Sequence, residues 1–392
     1  MRWSKIRSRL HATRGKVSEA DFREMTRRVE QNSQGEHYSS GRRVLLISSN
    51  GAGLGHLTRL AAISRFLNGQ SLIYTLSSAY HVLGKSSKEI VYFPSYGDIG
   101  IDGAVWNPLM KAHLGAVIKG FRPEIIIFDG TYVYRGVTAA ARQAGVPLIW
   151  LQRGCWQPNV LRKSVQRQNP ESYVDGIVVP RDYGCREPEG ERQGELEPCY
   201  VNPVTLLGRD ELLDRVEARR QLGLPQDKRL FLVQVGAGVL NDTNHLKASA
   251  IAAVRGLGAE WEPVLVANPL KKDFELERHD VLTFSAYPVL QYLKAFDAAI
   301  LAAGYNSVQE SVVSELPAIF VPNLHTKTDD QVRRAKAMAD RGLGMIATTV
   351  DEIETSVVEL GKKDIRATIS RGLFDAGLSN GAEEVEAVLE RY

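Results

Sequence analysis

Two groups of polar residues between residues 302 and 335 are the best candidates for chemistry. Each group follows a predicted apolar strand. The first group contains Ser307 and Glu310, and the second contains Asp330 and Gln331. Carboxylate, amide and hydroxyl side chains bind ligand hydroxyls, and a nearby helix N-terminus binds an anion through its backbone N–H groups. In an open α/β sheet, ligands bind outside the carboxyl ends of the strands, beside such helix N-termini. The two groups therefore predict a ligand site at a sheet edge.

The elements that would position the first group are a strand and a helix joined at Gly304. Residues 297–301 form a short apolar run typical of a buried strand, and Gly304 allows a sharp turn at its carboxyl end. A helix is expected to begin at Asn306 or Ser307. The spacing S-x-x-E from Ser307 to Glu310 is also that of a capping box, which closes the first turn of a helix without binding any ligand. Both interpretations stand.

Two further segments belong to the same half of the chain. A second helix is expected to begin at Asp329 or Asp330, after the strand AIFVP. Residues 229–235 predict a strand, which is followed by Gly236 and Gly238. This small-residue turn either lets backbone N–H groups approach a diphosphate or is an ordinary turn between strand and helix.

A second candidate site follows the first predicted strand, at residues 44–48. The segment N-G-A-G-L-G-H ends at His56 and leads into a helix. A strand, a glycine-rich turn and a helix together form a phosphate or substrate site, although this spacing is neither a dinucleotide fingerprint nor a P-loop. His56 is a candidate base for an acceptor hydroxyl, because the helix N-terminus opposes a positive charge on the imidazole. The alternative is a histidine that only caps the helix.

Two more polar residues end predicted strands of the first half. Asp129 lies at the ligand side of the sheet and either orients His56 or caps the helix expected after Tyr132. Arg153 follows the next strand and either faces an acceptor or a phosphate, or forms a surface ion pair.

Composition bounds the class of protein. A chain of 392 residues is expected to form two domains. A formal net charge of +3, without a compact basic and aromatic motif, argues against nucleic-acid binding.

Cys155, Cys185 and Cys199 lack metal-site spacing and fit a reduced, cytoplasmic protein, with a Cys185–Cys199 disulfide as the minor alternative. No apolar run reaches the ~18 residues of a membrane span, and no signal peptide is expected.

The first 16 residues are basic, with six Lys or Arg and no acid. Trp3, Ile6 and Leu10 share one face of a predicted helical turn. Such a segment either lies on an anionic lipid surface or is a solvated tail, and the small apolar area favours the tail slightly.

The stretch from Ala302 to Ala335 reads AAGYNSVQESVVSELPAIFVPNLHTKTDDQVRRA. Its order of turn glycine, S-x-x-E, helix, proline-ended strand and Asp-Gln pair resembles the donor-binding half of GT-B glycosyltransferases that use nucleotide sugars. The most similar branch is glycosyltransferase family 28, with the peptidoglycan lipid-intermediate N-acetylglucosaminyltransferases and the plastid galactolipid synthases. The loop ending in His56 is similar to the G-x-x-G-H element of these enzymes. The resemblance covers about residues 42–389.

The resemblance implies which residues bind the nucleotide sugar. It assigns Gly304 and Ser307 to the nucleotide and its phosphates, and Glu310 to the ribose hydroxyls. It assigns Asp330 and Gln331 to the sugar. The full donor set that it implies is Gly53, Gly55, Gly236, Gly238, Gly304, Asn306, Ser307, Glu310, His325, Asp330 and Gln331.

The connector between the two halves departs from the family. Asn-Pro-Val is followed by Thr205, where the peptidoglycan enzymes have an arginine that contacts phosphate. Arg209 is the candidate substitute, at a different spacing.

The expected fold is α/β, with two facing Rossmann-like domains and a cleft between them, as in GT-B enzymes. The expected divisions are a basic tail and helix at 1–41, an acceptor-side domain at 42–200, a donor-side domain at 201–375, and a last helix at 376–392 that packs back toward the first domain.

The resemblance implies an inverting transfer of a hexose or N-acetylhexosamine from a nucleotide sugar, with UDP expected on family grounds. The acceptor would be a hydroxyl of a lipid-linked molecule, a glycan or a small molecule in cell-envelope or polysaccharide synthesis. His56 would be the base and Asp129 its support. No D-x-D pair occurs, so no metal and no cofactor is expected. The expected location is the cytoplasm, with peripheral contact to the inner membrane face as an option.

Two alternatives remain from the sequence. One is a GT-B-fold epimerase of nucleotide sugars, which would convert the donor alone into a new nucleotide sugar. The other is a non-catalytic accessory protein that binds a nucleotide sugar and needs no base. For the accessory protein, replacing His56 by Ala would leave its biological effect intact.

Overall fold

Two parallel β-sheets, each covered by helices, form the protein. The computed structural model describes residues 41–49, 54–83, 89–183, 194–235, 244–267, 281–377 and 379–392. The predictions for the tail at 1–40 and for Cys185, Gly53, Gly236 and Gly238 lie outside these residues. The strands of the first sheet are β1 (Arg43–Ser48), β2 (Gln70–Thr75), β3 (Glu89–Tyr92), β4 (Ile125–Asp129), β5 (Leu148–Leu151), β6 (Gly176–Pro180) and β7 (Cys199–Val201). Those of the second sheet are β8 (Arg229–Gln234), β9 (Trp261–Val266), β10 (Leu282–Phe284), β11 (Ala298–Ala302), β12 (Ala318–Val321) and β13 (Met345–Ile346).

The strand order of both sheets is that of doubly wound α/β domains. The first sheet has the order β3-β2-β1-β4-β5-β6-β7 and the second has β10-β9-β8-β11-β12-β13. The order reverses between β1 and β4 and again between β8 and β11, and ligands bind at such switch points, outside the carboxyl ends of the strands. The prediction of two Rossmann-like domains is confirmed.

Thirteen α-helices and four 3-10 turns connect the strands of the described segments. The helices are α1 (Gly55–Phe66), α2 (Tyr96–Ile99), α3 (Gly103–Phe121), α4 (Arg135–Ala144), α5 (Pro158–Leu161), α6 (Val165–Gln168), α7 (Arg215–Leu222), α8 (Asn244–Arg255), α9 (Tyr305–Ser314), α10 (Gln331–Asp340), α11 (Val350–Leu360), α12 (Lys363–Ala376) and α13 (Gly381–Leu389). The 3-10 turns are Tyr80–Leu83, Pro170–Ser172, Arg209–Glu211 and Val289–Ala295. None of the described helices is both long and apolar enough to cross a bilayer.

The central strands are apolar throughout because helices cover both faces of each sheet. All five residues of β4 (IIIFD) are buried. Ile126 and Phe128 pack in the core on one face of the first sheet, and Ile125 and Ile127 pack in the core on the other face. The strand ends at Asp129, which therefore lies at the carboxyl edge of the sheet.

The last helix, α13, packs against the first sheet although it follows the second domain in the chain. Ala382, Val385 and Leu389 join the core that contains Val44 of β1. At the start of the helix, a Cβ on Gly381 would overlap the carbonyl oxygen of Asn202, so only glycine permits this approach of helix to connector.

The sequence also predicts helices over residues 106–121 and 210–221. Both begin elsewhere in the structure because of their N-caps. In place of the helix predicted over Asp210 to Gln221, the structure has a 3-10 turn followed by α7. Asp214 is the N-cap of α7, and its side chain accepts a hydrogen bond from the backbone N–H of Glu217. The helix predicted from Trp106 begins at Gly103, because Asp102 caps it. Both aspartates are ordinary N-cap residues.

Candidate active site

The adjacency of β1 and β4 brings His56 and Asp129 together. Asp129 is the last residue of β4, and His56 is the second residue of α1, which follows β1. The His56 Nδ1 lies 2.8 Å from the Asp129 Oδ1. The helix expected after Tyr132 begins at Arg135 with no side-chain cap, so the alternative role of Asp129 as its cap is wrong.

Two groups lie beside the His56 Nδ1, the Asp129 carboxylate at 2.8 Å and the Arg59 Nη2 at 3.0 Å, and the shorter contact with the carboxylate selects the tautomer. An ionised carboxylate only accepts hydrogen bonds, so the contact between Nδ1 and Asp129 requires the proton on Nδ1. The Nε2 atom therefore carries the lone pair. The His56 side chain retains 14% of its accessible surface, whereas Asp129 retains 1%. This arrangement leaves His56 able to take a proton and Asp129 able only to orient it.

Arg59 completes the cluster, and the sequence interpretation missed it. Its Nε donates to Asp129 Oδ2 at 2.9 Å and its Nη2 donates to Oδ1 at 2.7 Å. Arg59 stands three residues after His56, on the same face of α1, and this spacing was the available signal. Burial by itself would raise the pKa of Asp129, but Arg59 and His56 beside it lower that pKa. Asp129 is therefore ionised.

Burial is also the largest influence on His56 and lowers its pKa below 6.5. Asp129 raises the pKa by its charge and its hydrogen bond, while Arg59 and Arg153 lower it again. The imidazole is consequently neutral near physiological pH, which is the state that a general base requires.

Helix α9 faces this cluster from the second domain. It begins at Tyr305 with Gly304 as its N-cap, and no side chain caps it. Ser307 and Glu310 are the third and sixth residues of the helix, so the capping-box interpretation is wrong and the predicted start was one or two residues late. The uncapped N–H groups of the first turn suit an anion.

A pocket separates α1 from α9. Its lining residues are Thr58, Arg59, Val204, Thr205, Leu206, Asn306 and Glu310. Burial raises the pKa of Glu310 to about 7. The Oδ1 of Asn306 is buried and accepts no hydrogen bond from the described residues. Gly55 lies beside Asn306, since a Cβ on Gly55 would stand 4.0 Å from the Asn306 Nδ2. The pocket is too narrow to admit a water molecule. It nevertheless brings together residues of both predicted sites, including an acceptor atom and a titratable carboxyl.

Two tyrosines connect the walls of the pocket. The hydroxyls of Tyr287 and Thr58 lie 3.0 Å apart. The Tyr305 hydroxyl accepts from the Val204 N–H and donates to the Arg181 carbonyl, both at 3.0 Å. The Arg59 guanidinium stands 5.0 Å from the centre of the Tyr305 ring. Contacts between first domain and second domain therefore surround the pocket.

The predicted sugar-binding residues Asp330 and Gln331 form hydrogen bonds within their own loop and the start of α10. Asp330 is the N-cap of α10 and accepts from the Arg333 N–H at 3.0 Å, so the helix start expected at Asp329 or Asp330 is confirmed. The Gln331 Oε1 accepts from the Asn323 N–H at 2.9 Å, and its Nε2 donates to Asp329. His325 is exposed, and neither it nor the other two line the pocket between α1 and α9.

A second buried ion network spans the domains and was not found from the sequence. The Arg334 Nε donates to Asp182 of the first domain at 2.6 Å, and its Nη2 donates to Asp329 at 2.8 Å. Burial would raise the pKa of Asp329, but Arg334 is the main cause that lowers it to about 2. Gln309 of α9 also donates to Asp182 at 2.9 Å. Both carboxylates are therefore bound to one buried guanidinium.

The suggested substitute for the missing connector arginine is wrong. Arg209 lies 3.1 Å from Glu315 and stacks over the Phe374 ring at 4.5 Å. Glu315 follows the carboxyl end of α9, about 15 Å along the helix from its N-terminus, so Arg209 cannot reach a phosphate bound there. Thr205 lines the pocket instead.

Comparisons with known proteins show which families the chain is similar to. Residues 233–369 match the glycosyltransferase family 28 C-terminal domain. A protein of Symbiobacterium thermophilum is 24% identical over 358 residues, with 86% of this chain and 89% of the relative covered. One of Nocardioides sp. is 27% identical over 243 residues, with 60% of this chain and 62% of the relative covered. Both are named UDP-N-acetylglucosamine--N-acetylmuramyl-(pentapeptide) pyrophosphoryl-undecaprenol N-acetylglucosamine transferase.

Solved structures show the same fold. The glycotransferase of kitacinnamycin superposes with a TM-score of 0.62 at 18% identity, covering 90% of this chain and 99% of that one. The structure of Acinetobacter baumannii MurG superposes with a TM-score of 0.58 at 14% identity, covering 89% of this chain and 100% of that one. The chain is a glycosyltransferase with the GT-B fold, and its residues 233–369 resemble the C-terminal domain of glycosyltransferase family 28. The predicted resemblance, fold class and enzyme class are confirmed.

Proposed function

We propose that the protein transfers N-acetylglucosamine or a related hexose from a UDP-sugar to a hydroxyl of a lipid-linked acceptor, with inversion at the anomeric carbon. The observation that carries the proposal is the neutral His56, oriented by Asp129, opposite the uncapped N-terminus of α9. The names of the relatives, which specify a UDP-sugar and a pyrophosphoryl-undecaprenol acceptor, support the substrate classes.

In the proposed reaction, the acceptor hydroxyl loses its proton to His56 Nε2. Its oxygen forms a bond to the anomeric carbon while the bond from that carbon to the diphosphate oxygen breaks. Attack from the face opposite the leaving group inverts the configuration. The charge that develops on the nucleotide diphosphate is stabilised by the first-turn N–H groups of α9, and no metal is required for this step.

The donor would lie mainly on the second domain and the acceptor mainly on the first. We assign Glu310 to the ribose hydroxyls, and Asn306 and Ser307 to the nucleotide and phosphates, because they belong to the first two turns of α9. We assign Asp330 and Gln331 to the sugar, which would require their loop contacts to rearrange on binding. A lipid-linked acceptor implies peripheral contact with the inner membrane face.

Activity with a water-soluble, short-chain lipid-pyrophosphate acceptor tests the proposal. We expect UDP release and a glycosylated acceptor from wild-type protein, an inverted anomeric centre by NMR, and the same rate with EDTA as with magnesium. His56→Ala should lose the product and retain UDP binding.

The donor alone is the matched control. A new nucleotide sugar in that control would identify an epimerase. UDP binding without any transfer, equal in wild type and His56→Ala, would identify an accessory binding protein. Rates that vanish with EDTA would overturn the metal-independent step.

A further inference from the structure

The loop after β5 and helix α6 carry a cluster of buried hydrogen-bond donors that the reaction above does not use. Four nitrogen atoms of this cluster are buried and have no hydrogen-bond partner among the described residues. They are Gln152 Nε2, Arg153 Nε, Trp156 Nε1 and Arg167 Nε. Gln152, Trp156 and Arg167 retain only 5%, 3% and 2% of their accessible surface. All four atoms donate and none accepts, so the group that satisfies them must be an acceptor.

Arg167 contacts both Trp156 and Arg153, and an exposed tyrosine lies beside Trp156. The Arg167 guanidinium lies 3.6 Å from the centre of the Trp156 ring, and its Nη2 donates to the Arg153 carbonyl at 2.7 Å. The Tyr132 ring packs edge-on against Trp156 at 5.5 Å and is itself 41% exposed. Tyr132 and the half-buried Arg153 are therefore the parts of this region that solvent reaches.

The charge of the cluster is not balanced by protein carboxylates. The ion pairs of the described residues commit Asp129 to Arg59 and Asp329 to Arg334, and none of them includes Arg153 or Arg167. Burial is the main cause that lowers the pKa of both arginines, to about 9 for Arg167. Asp329 offsets part of this effect at Arg153. Buried cations without a paired anion are costly, and a bound anion would remove that cost.

The cluster also lies where the two domains meet. The Gln157 N–H donates to the Thr328 carbonyl at 2.9 Å, and the Asp330 N–H donates to the Cys155 carbonyl at 2.8 Å. Arg153 Nη2 donates to the Thr328 hydroxyl at 3.0 Å. The charge of Arg153 is also felt at His56, whose pKa it lowers. An anion held here would lie in the cleft, on the acceptor side and near the base.

We propose that this donor cluster, formed by Gln152, Arg153, Trp156 and Arg167, is an anion site that binds a phosphate group of the acceptor. Several buried donors, two of them on guanidinium groups, suit the multiple oxygens of a phosphate or diphosphate. The assignment of that phosphate to the acceptor rests on the proposed function, whereas the anion site itself does not. The site would select phosphate-bearing acceptors over neutral glycans.

Calorimetric titration of the full chain with inorganic pyrophosphate tests the site, at constant ionic strength, with and without saturating UDP. Two variants remove donors. Arg153→Gln removes the half-buried charge, and Trp156→Phe removes only the indole N–H while it keeps an aromatic ring against Arg167. Lys163→Gln is the matched control, because it removes one charge from an exposed position of the same segment.

We expect pyrophosphate to bind wild-type protein in the presence of UDP. Its affinity should fall about tenfold or more in Arg153→Gln and severalfold in Trp156→Phe, since hydrogen bonds to charged groups are the strong ones. It should stay within about twofold in Lys163→Gln, and UDP affinity should stay within about twofold in all three. Unchanged UDP binding shows that each variant is folded. If Arg153→Gln does not fold, the pyrophosphate affinity of Trp156→Phe alone tests the anion site.

Three outcomes would overturn the site: no pyrophosphate binding by wild type, displacement of pyrophosphate by UDP, or equal affinity in wild type and both variants. The proposed function fails separately. A protein that binds pyrophosphate in the donor cluster but does not bind UDP keeps the anion site and loses the glycosyl donor.

Discussion

The imidazole of His56 is the single group on which the proposed transfer depends. Burial keeps its pKa below 6.5, and a base acts only when it is unprotonated. The value of kcat at saturating substrates should therefore fall as the pH drops through this lowered pKa and stay level above about pH 6.5. The value of kcat/KM would also reflect the protonation of Glu310 in the donor site. His56→Gln should lower kcat by about 10²–10⁴-fold and abolish the acid limb, with the Kd of UDP unchanged.

The control for this experiment is His81→Gln, at an exposed histidine of a 3-10 turn, which should retain the wild-type profile. An acid limb that persists in His56→Gln would place the base elsewhere in the cleft.

Glu310 gives the unliganded protein a pH-dependent stability. Its folded-state pKa of about 7 lies above the ordinary value of 4.5 because burial opposes the carboxylate. Between these two pH values the folded state binds more protons than the unfolded state, so this contribution to stability is present at low pH and is lost as the pH rises. Glu310→Gln should therefore be more stable relative to wild type at pH 8 than at pH 5, as measured by urea unfolding.

The same substitution should weaken UDP binding by about tenfold to a hundredfold, since it replaces hydrogen bonds to a charged group. Glu390→Gln, at an exposed position of the chain terminus, is the charge control for both measurements. If Glu310→Gln and Glu390→Gln behave alike at both pH values, Glu310 does not contribute the proposed proton uptake.

Helix α1 carries both His56 and Arg59, and both side chains contact the buried Asp129. Arg59 anchors the helix to the buried Asp129, whereas Arg65, two turns later, pairs with Glu211 at the surface. Breaking a buried pair leaves an unpaired charge and costs about 3–5 kcal/mol, but an exposed pair contributes about 1 kcal/mol or less. Arg59→Gln should lower the free energy of unfolding by the larger amount and Arg65→Gln by the smaller.

The pH profile separates this positioning role from a merely structural one. The charge of Arg59 helps to lower the pKa of His56, so its removal should move the acid limb of kcat at saturating substrates to higher pH. Arg65→Gln should not move it. A limb that stays in place in Arg59→Gln would show that Arg59 only stabilises the fold.

Elements with uniform burial were predictable from the sequence, and their ends were less so. The apolar run at 44–48 became β1 (Arg43–Ser48), and that at 297–301 became β11 (Ala298–Ala302), because a parallel strand covered on both faces must be apolar throughout. Helix starts depend on single caps. Asp102 was overlooked as the cap of α3, and Gly304 takes the position that the S-x-x-E spacing had suggested for Ser307.

The site was predictable only where its residues follow strands directly. Asp129 ends β4 and His56 lies in the helix that follows β1, and strand ends of a parallel sheet meet at one edge. The partners of Arg334 were not predictable, because Asp182 lies 152 positions away and on the other domain. Arg153 was expected as either a ligand-facing residue or a surface ion pair, and the surface alternative is wrong, since its Nε is buried.

At the scale of the whole molecule, polar contacts are prominent between the two domains. The apolar contacts between them include Tyr183, which packs in the core of the second sheet, and Tyr287, which packs against a core of the first. The core of the second sheet and the cores of the first sheet are separate clusters. Across the cleft, Asp182 of the first domain holds Arg334 and Gln309 of the second. Polar interfaces of this kind permit relative domain motion, so the contacts of Asp182 should set how readily the cleft closes over its substrates.

Asp182→Asn tests this dependence, with Asp340→Asn as control, at the exposed end of α10. Loss of the carboxylate leaves Arg334 with Asp329 alone, so the free energy of unfolding should fall by about 1–3 kcal/mol. Closure excludes water and completes the catalytic site; the variant should therefore show a larger radius of gyration by small-angle scattering, a higher donor KM and a lower kcat. Stability loss with unchanged radius and KM would mean that Asp182 supports the fold without governing closure.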